Sequence, residues 1–298
     1  MNVLMKYVKM INKFKYPILA TILVVALGFY LPKHIESEKK DKVILNLVYN
    51  VLNTSHFAPQ EINDKFSEEV YNEFIKSMDY SKRFLLADDV KNLSSYKDEI
   101  DNEVLAGELT FFDDAYAIYQ QRFATAKGFY KQILEKPFDF TEKESLETDD
   151  EKIDFAKDEK ELYDRWRKYL KYRVLTRIEE RMESQQKRLE KSTEADTTEN
   201  SEDDDLEIKT FEEVEKEARE KELELHDDWF TNLEDMEHID WLGIYMNSIT
   251  TTYDPHTQYL PPQSQEDFEI SMTGQLQGIG AQLQQKGDYV TISKIITG

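Results

Sequence analysis

Gly278-Ile279-Gly280 runs straight into Ala281-Gln282-Leu283, and this short stretch has the spacing of a binding site. Glycines on both sides of Ile279 allow a turn whose amides point together, a nest able to hold the terminal carboxylate of a peptide. The strand that follows can then pair its edge with the peptide backbone. Alone, Gly-x-Gly before a strand is more often a tight bend. Catalytic spacings are missing: the chain has no H-E-x-x-H, no G-x-S-x-G and no Walker lysine loop. Its five histidines are His34, His56, His226, His238 and His256, none paired at helical metal-ligand spacing. His226 and His238 read as surface or capping residues. Asp203-Asp204-Asp205 lacks the ligand spacing and glycine of a calcium loop. There is no cysteine, which removes thiolate nucleophiles, disulfides and Cys-bound zinc. No metal or cofactor is expected, and no catalytic residue can be assigned, because triads meet only in space.

The elements that must carry these residues read as mainly α. From 42 to about 191 the pattern is helical, beginning with a stripe of Ile44, Leu47, Val48, Val51 and Leu52. A second helix is expected after Ser67 as its cap, burying Val70, Tyr71, Phe74, Ile75 and Met78. A third runs from Leu109 to about Leu134 with Phe112, Ala115, Tyr116, Tyr119 and Phe123 inward, before Pro137. The fourth covers about 151–191, with Leu162, Trp166, Tyr169, Leu170 and Val174 as core rather than a cofactor box. Residues 192–205 hold no large apolar side chain and read as a disordered acidic loop. Thr210 with Glu213 forms a capping box that opens a helix running toward His226. A last helix carries Trp241, Leu242, Tyr245, Met246 and Ile249 and stops at Asp254-Pro255. After Pro261-Pro262 glycine returns and strands are expected. Ile279, Ala281 and Leu283 share a face, Lys286-Gly287-Asp288 turns, and Val290 and Ile292 come back. Roughly three dozen residues make too few strands for a stable β domain, so the β part reads as incomplete.

Sixty-one acidic against 38 basic residues leave a net charge of −23, which repels phosphate backbones and argues against nucleic acid as a partner. At the amino terminus Lys6, Lys9, Lys13 and Lys15 precede the uncharged stretch 17–31. That order is the n-region and h-region of a secretory signal. The stretch spans about 22 Å, short of a bilayer core, which favours a removed signal at 1–31 over a permanent span. Ala26-Leu27-Gly28 resembles a cleavage site only weakly, so an anchor stays open. Either way the rest is expected outside the cytoplasm, with membrane contact only through the amino-terminal segment.

Several ordered blocks resemble one family. Asp254-Pro-His-Thr-Gln-Tyr-Leu, Phe268 and Leu276-Gln-Gly-Ile-Gly-Ala-Gln-Leu283 are similar to the tail-specific, or carboxy-terminal processing, proteases. The likeness reappears in His56-Phe57, in Ser67 to Tyr71, in Met78 to Asp89 and in Arg165-Trp-Arg-Lys-Tyr-Leu-Lys171. Met78 and Arg83 depart mildly from the family pattern, which has leucine and an aromatic there. The acidic segment has no counterpart. The resemblance implies a helical amino-terminal domain over 42–262, then a truncated PDZ domain over 263–298. It further implies a bacterial periplasmic serine endopeptidase whose PDZ domain takes the carboxy-terminal tails of protein substrates, and leaves room for an envelope adaptor protein. The peptide-binding residues are then Gly278, Ile279, Gly280, Ala281, Gln282 and Leu283. The family's serine nucleophile and its lysine base are expected downstream, so this stretch is expected to be inactive. His256 reads as part of a helix exit rather than as a catalytic group. Two other readings stay open: a non-catalytic helical adaptor with a degenerate PDZ edge, and a purely structural envelope bundle.

Overall fold

The computed structural model describes residues 38–194, 208–273, 281–286 and 289–295. The signal reading at 1–31, the Gly278-Ile279-Gly280 turn and most of the acidic segment lie outside them. The chain divides into two compact units, Met1–Gln258 and Tyr259–Gly298.

The first unit is helical. It contains α1 (residues 38–55), α2 (Asp64–Met78), α3 (Ala87–Leu93), a 3-10 turn (Ser94–Tyr96), α4 (Ile100–Ala106), α5 (Thr110–Leu134), α6 (Glu159–Glu194), α7 (Phe211–Glu234) and α8 (His238–Tyr253). Helix α5 packs against α6, α7, α3 and α8, while α2 packs on α4 and α8. Its residues supply the middle of an aromatic core. Phe111 and Phe112 meet Phe74 and Tyr245 at ring distances of 5.5 to 6.0 Å, and Phe123 and Tyr130 meet Phe230 at 5.2 and 4.7 Å. Pro137 follows the end of α5, as expected, because proline cannot extend the hydrogen-bond ladder.

Local chemistry sets the boundaries. Thr210 and Glu213 close the capping box at the start of α7, with Thr210 N–H donating to Glu213 at 2.9 Å. Helix α4 ends at Gly107, whose φ of 71° needs a residue without Cβ. A Cβ there would also stand 2.7 Å from the Asn46 amide.

Several expectations need correction. Helix α2 is capped by Asn63, whose side chain accepts from the Lys65 and Phe66 amides. Ser67 lies buried inside the helix and bonds Asp101 in α4, its hydroxyl donating at 2.8 Å and accepting the Asp101 amide at 2.8 Å. Helix α6 starts at Glu159 rather than near 151, because Ala156 pairs with Leu86 and accepts the Ala87 amide at 2.8 Å. It also runs to Glu194, into the segment expected to be a loop. Helix α1 buries Asp41, Leu45 and Leu52, while Leu47 and Val51 are 60% exposed. The helix packs on a stripe narrower than its apolar content.

In the second unit, α9 (Pro262–Thr273) is a helix where strand was expected. Its polar sequence does not alternate, and the proline opens it at the position where its missing N–H costs nothing. Strands β1 (Ala281–Lys286) and β2 (Tyr289–Ile295) then form an antiparallel hairpin, with Lys286 opposite Tyr289, Leu283 opposite Ile292, and a bulge between Gln282 and Leu283. The molecule is thus mainly α with the start of a β region at its end.

Candidate functional site

Ala281, Gln282 and Leu283 open β1, and their pairing partners on β2 are Ile295, Lys294 and Ile292. Because the sheet has two strands among the described residues, β1 has one paired and one unpaired edge. Hydroxyls of β2 reinforce the paired side, Ser293 donating to the Gln282 carbonyl at 3.1 Å and Thr291 to the Gln284 carbonyl at 3.0 Å. The apolar side chains Leu283, Tyr289, Val290, Ile292 and Ile295 are exposed. Such a ribbon has the chemistry of strand addition: a free row of main-chain donors and acceptors beside apolar side chains.

The Asp254-Pro-His-Thr block forms the exit of α8. Asp254 accepts the His256 amide at 2.7 Å and its carbonyl accepts the Thr257 amide at 3.0 Å, while the His256 side chain is exposed. The distant His56-Phe57 block meets this exit. His56 Nε2 lies 3.3 Å from the Thr257 hydroxyl and its ring stands edge-on to Tyr253 at 5.4 Å, while Gln60 donates to the Thr252 carbonyl. Phe57, by contrast, is fully exposed.

The blocks Met78 to Asp89 and Arg165 to Lys171 meet each other. In Met78 to Asp89, the buried Asp79 carboxylate accepts the amides of Arg83, Phe84 and Leu85 at 2.8 to 2.9 Å. Burial pushes its carboxyl up, and the three N–H groups oppose that rise. The turn it holds includes Lys82 at φ 49°, in the left-handed region. From α6, Arg165 donates to the Lys82 carbonyl at 3.1 Å and Trp166 to the Arg83 carbonyl at 2.8 Å, and Arg83 lies over the Tyr169 ring at 3.8 Å. At the far end Asp89 caps the Leu86 amide and takes a two-pronged bond from Arg122 of α5 at 2.7 and 2.9 Å. These blocks are therefore architectural.

His226 departs from its expected surface or capping place, whereas His238, the first residue of α8 with its side chain 35% exposed, does not. His226 is buried among Tyr130, Trp166, Tyr169 and Trp229, its Nδ1 2.8 Å from the Glu222 carbonyl, because it falls on the inward face of α7. Burial lowers its pKa. His238 bonds Asp41 of α1 at 2.9 Å, and that bond raises its pKa. The Asp41–His238 contact could not be read from spacing, since the two residues are far apart in sequence, whereas Glu222 and His226 stand four residues apart on α7. The fully buried Glu222, paired with Arg173 and Arg177 of α6, was equally silent.

A helical scaffold leading into an open β ribbon, with the polar contacts of its motif blocks spent on architecture, is the class of molecule these contacts define. Residues 48–263 match the family model described as the tail specific protease N-terminal domain. The chain belongs to that family. It is also 23% identical over 248 residues to the tail-specific protease of Haemophilus influenzae, a match that takes in 83% of this chain and 31% of the relative. The chain thus spans about a third of the length of that relative.

Proposed function

We propose that this chain is the amino-terminal and substrate-recognition part of an envelope serine endopeptidase that processes proteins from their carboxyl terminus. The observation that carries this reading is the family match over 48–263, with α9 and then a hairpin with an open edge among the described residues after it. In this reading, 263–298 begin a PDZ domain. The amides around Ile279 and Gly280 take the terminal carboxylate, and Ala281, Gln282 and Leu283 pair with the last residues of the substrate. The serine nucleophile and its lysine base belong to the part of the protein that this chain does not cover. Lys6 to Lys15 ahead of the apolar stretch 17–31 support export to the periplasmic side of the inner membrane.

The test is affinity for an apolar-ended decapeptide as free acid and as amide, measured on the protein lengthened through the region its relative possesses. The free acid should bind at least about tenfold more tightly, as expected for a charge-assisted bond to main-chain amides. Equal affinity of acid and amide would sink the carboxylate reading.

A further inference from the structure

Helix α1 turns an apolar stripe away from its own unit. Val43, Leu47 and Val51 recur at every fourth residue along about 12 Å of the helix, and each is more than half exposed. The inner face is fixed: Leu45 and Leu52 are buried, Asp41 bonds His238 of α8, and Lys42 pairs with Glu108 just after α4. The fold thus holds the stripe outward.

The polar residues beside the stripe are turned onto their own helix. Asn46, Asn50 and Thr54, also at every fourth position, donate to the carbonyls of Lys42, Asn46 and Asn50 at 2.6 to 2.7 Å. A side chain whose donor is spent in this way costs less to take out of water. Charge follows the same pattern. Acids make up 61 of 298 residues, yet Asp41 is the sole carboxylate from 39 to 55, and it is buried. Lys39 and Lys40 are exposed at the helix start. Chain order points to what meets this face. The uncharged stretch 17–31 ends seven residues before Glu38, so α1 begins within about 25 Å of the last residue of that stretch. No helix among the described residues is long and apolar enough to cross a membrane, so α1 can lie on one but not span it.

We infer that α1 lies on the surface of a phospholipid bilayer, with Val43, Leu47 and Val51 at the boundary of headgroups and acyl chains and Lys39 and Lys40 among the phosphates. This rests on the reading of 17–31 as a membrane-directed segment, and it adds a second contact that the segment does not itself make. A bilayer suits the face better than a second copy of the chain. Three side chains on one helix bury far less than the roughly 1,200 Å² of a stable dimer, whereas a helix tethered beside lipid needs little area, because its contact is in effect intramolecular. The net charge of −23 opposes approach to an anionic surface, but beyond a screening length of about 8 Å that repulsion is largely lost. The contact fixes which face of the helical unit looks at the membrane.

The chain has no cysteine, so a single engineered one carries an environment-sensitive dye alone. Leu47→Cys reports on the stripe, Leu23→Cys on the amino-terminal stretch and Glu180→Cys on an exposed position of α6, each in the full chain with vesicles of phosphatidylethanolamine and phosphatidylglycerol. Brominated acyl chains should quench the dyes at 47 and 23 and leave the dye at 180 unquenched. Val43→Asn with Val51→Asn should lower the ratio of seated to unseated helix, read as quenching at 47, at least about tenfold, with quenching at 23 kept. The inference is overturned if the dye at 47 stays in water or if the two asparagines change nothing. It is overturned too if that dye shifts to the blue as strongly without lipid when protein concentration rises, which would assign the stripe to a second copy. An unquenched dye at 23 would overturn the reading of 17–31 instead, and the dye at 47 would still decide for α1.

Discussion

Asp79 gathers three main-chain amides with two oxygens, one facing Arg83 and the other facing Phe84 and Leu85. Asparagine would keep one acceptor and set an NH2 group against N–H donors in place of the other. Leaving such donors buried and unpaired costs about 1–3 kcal/mol, so Asp79→Asn should lower urea stability by that amount, read from the helical circular dichroism signal. No loss would mean that the turn at Lys82 holds itself. The two shifted histidines give stability opposite pH windows. His238 has its pKa raised above the unfolded value near 6.5 by Asp41, so its contribution is full below that value and fades as pH rises through the folded pKa. His226 has its pKa lowered by burial, so its contribution is full above about 6.5 and fades as pH falls through that value toward the folded pKa. His238→Gln should therefore flatten the alkaline limb of the pH–stability profile and leave the acid limb. A profile with both limbs unchanged in that variant would remove Asp41–His238 from the account.

At the scale of elements, α3 is too short to hold itself and depends on Asp89, which both caps it and receives Arg122 from α5. Arg122→Ala leaves a buried carboxylate uncompensated and should cost about 3–5 kcal/mol; lysine, which lacks the planar fork, should restore little of it. Chemical denaturation of the three proteins decides the matter, and full rescue by lysine would show that charge alone suffices. This dependence explains what the residues disclose in advance and what they do not. The α7 start was legible because Thr210 and Glu213 act on their own neighbours, and the core of α5 because its aromatic spacing matches the helical period. Helices α3 and α4 left no such mark, since their stability comes from Arg122 and Ser67 in distant segments. Asn63 and Ser67 are both competent caps, and only the burial of Ser67 against Asp101 decides between them. Likewise the apolar stripe of α1 is wider than its buried face: hydrophobicity marks which residues could be buried, and Leu47 and Val51 stay 60% exposed among the described residues. For the candidate site the strands β1 and β2 were readable from alternation, whereas the bulge between Gln282 and Leu283 was not.

At the scale of the whole molecule the hairpin is the unsolved remainder. Two strands in water are marginally stable at best, and here Tyr289 and Ile295 are 76% and 72% exposed, so the ribbon offers apolar side chains that no described residue of its own unit covers. In the relative from Haemophilus influenzae the matched region makes up 31% of the length. If further strands close over β1 and β2, their amides should exchange with solvent near the unstructured rate in the 298-residue chain and at least about a hundredfold more slowly in the lengthened protein, since sheet amides inside a closed domain open only with its sub-global unfolding. The helical amides of α5 serve as internal reference and should be protected in both. Equal protection of the hairpin in the two proteins would mean that it is complete as it stands. The unpaired edge of β1 would then be a permanent surface, and capture of a substrate tail would have to occur without the pocket that a finished domain provides.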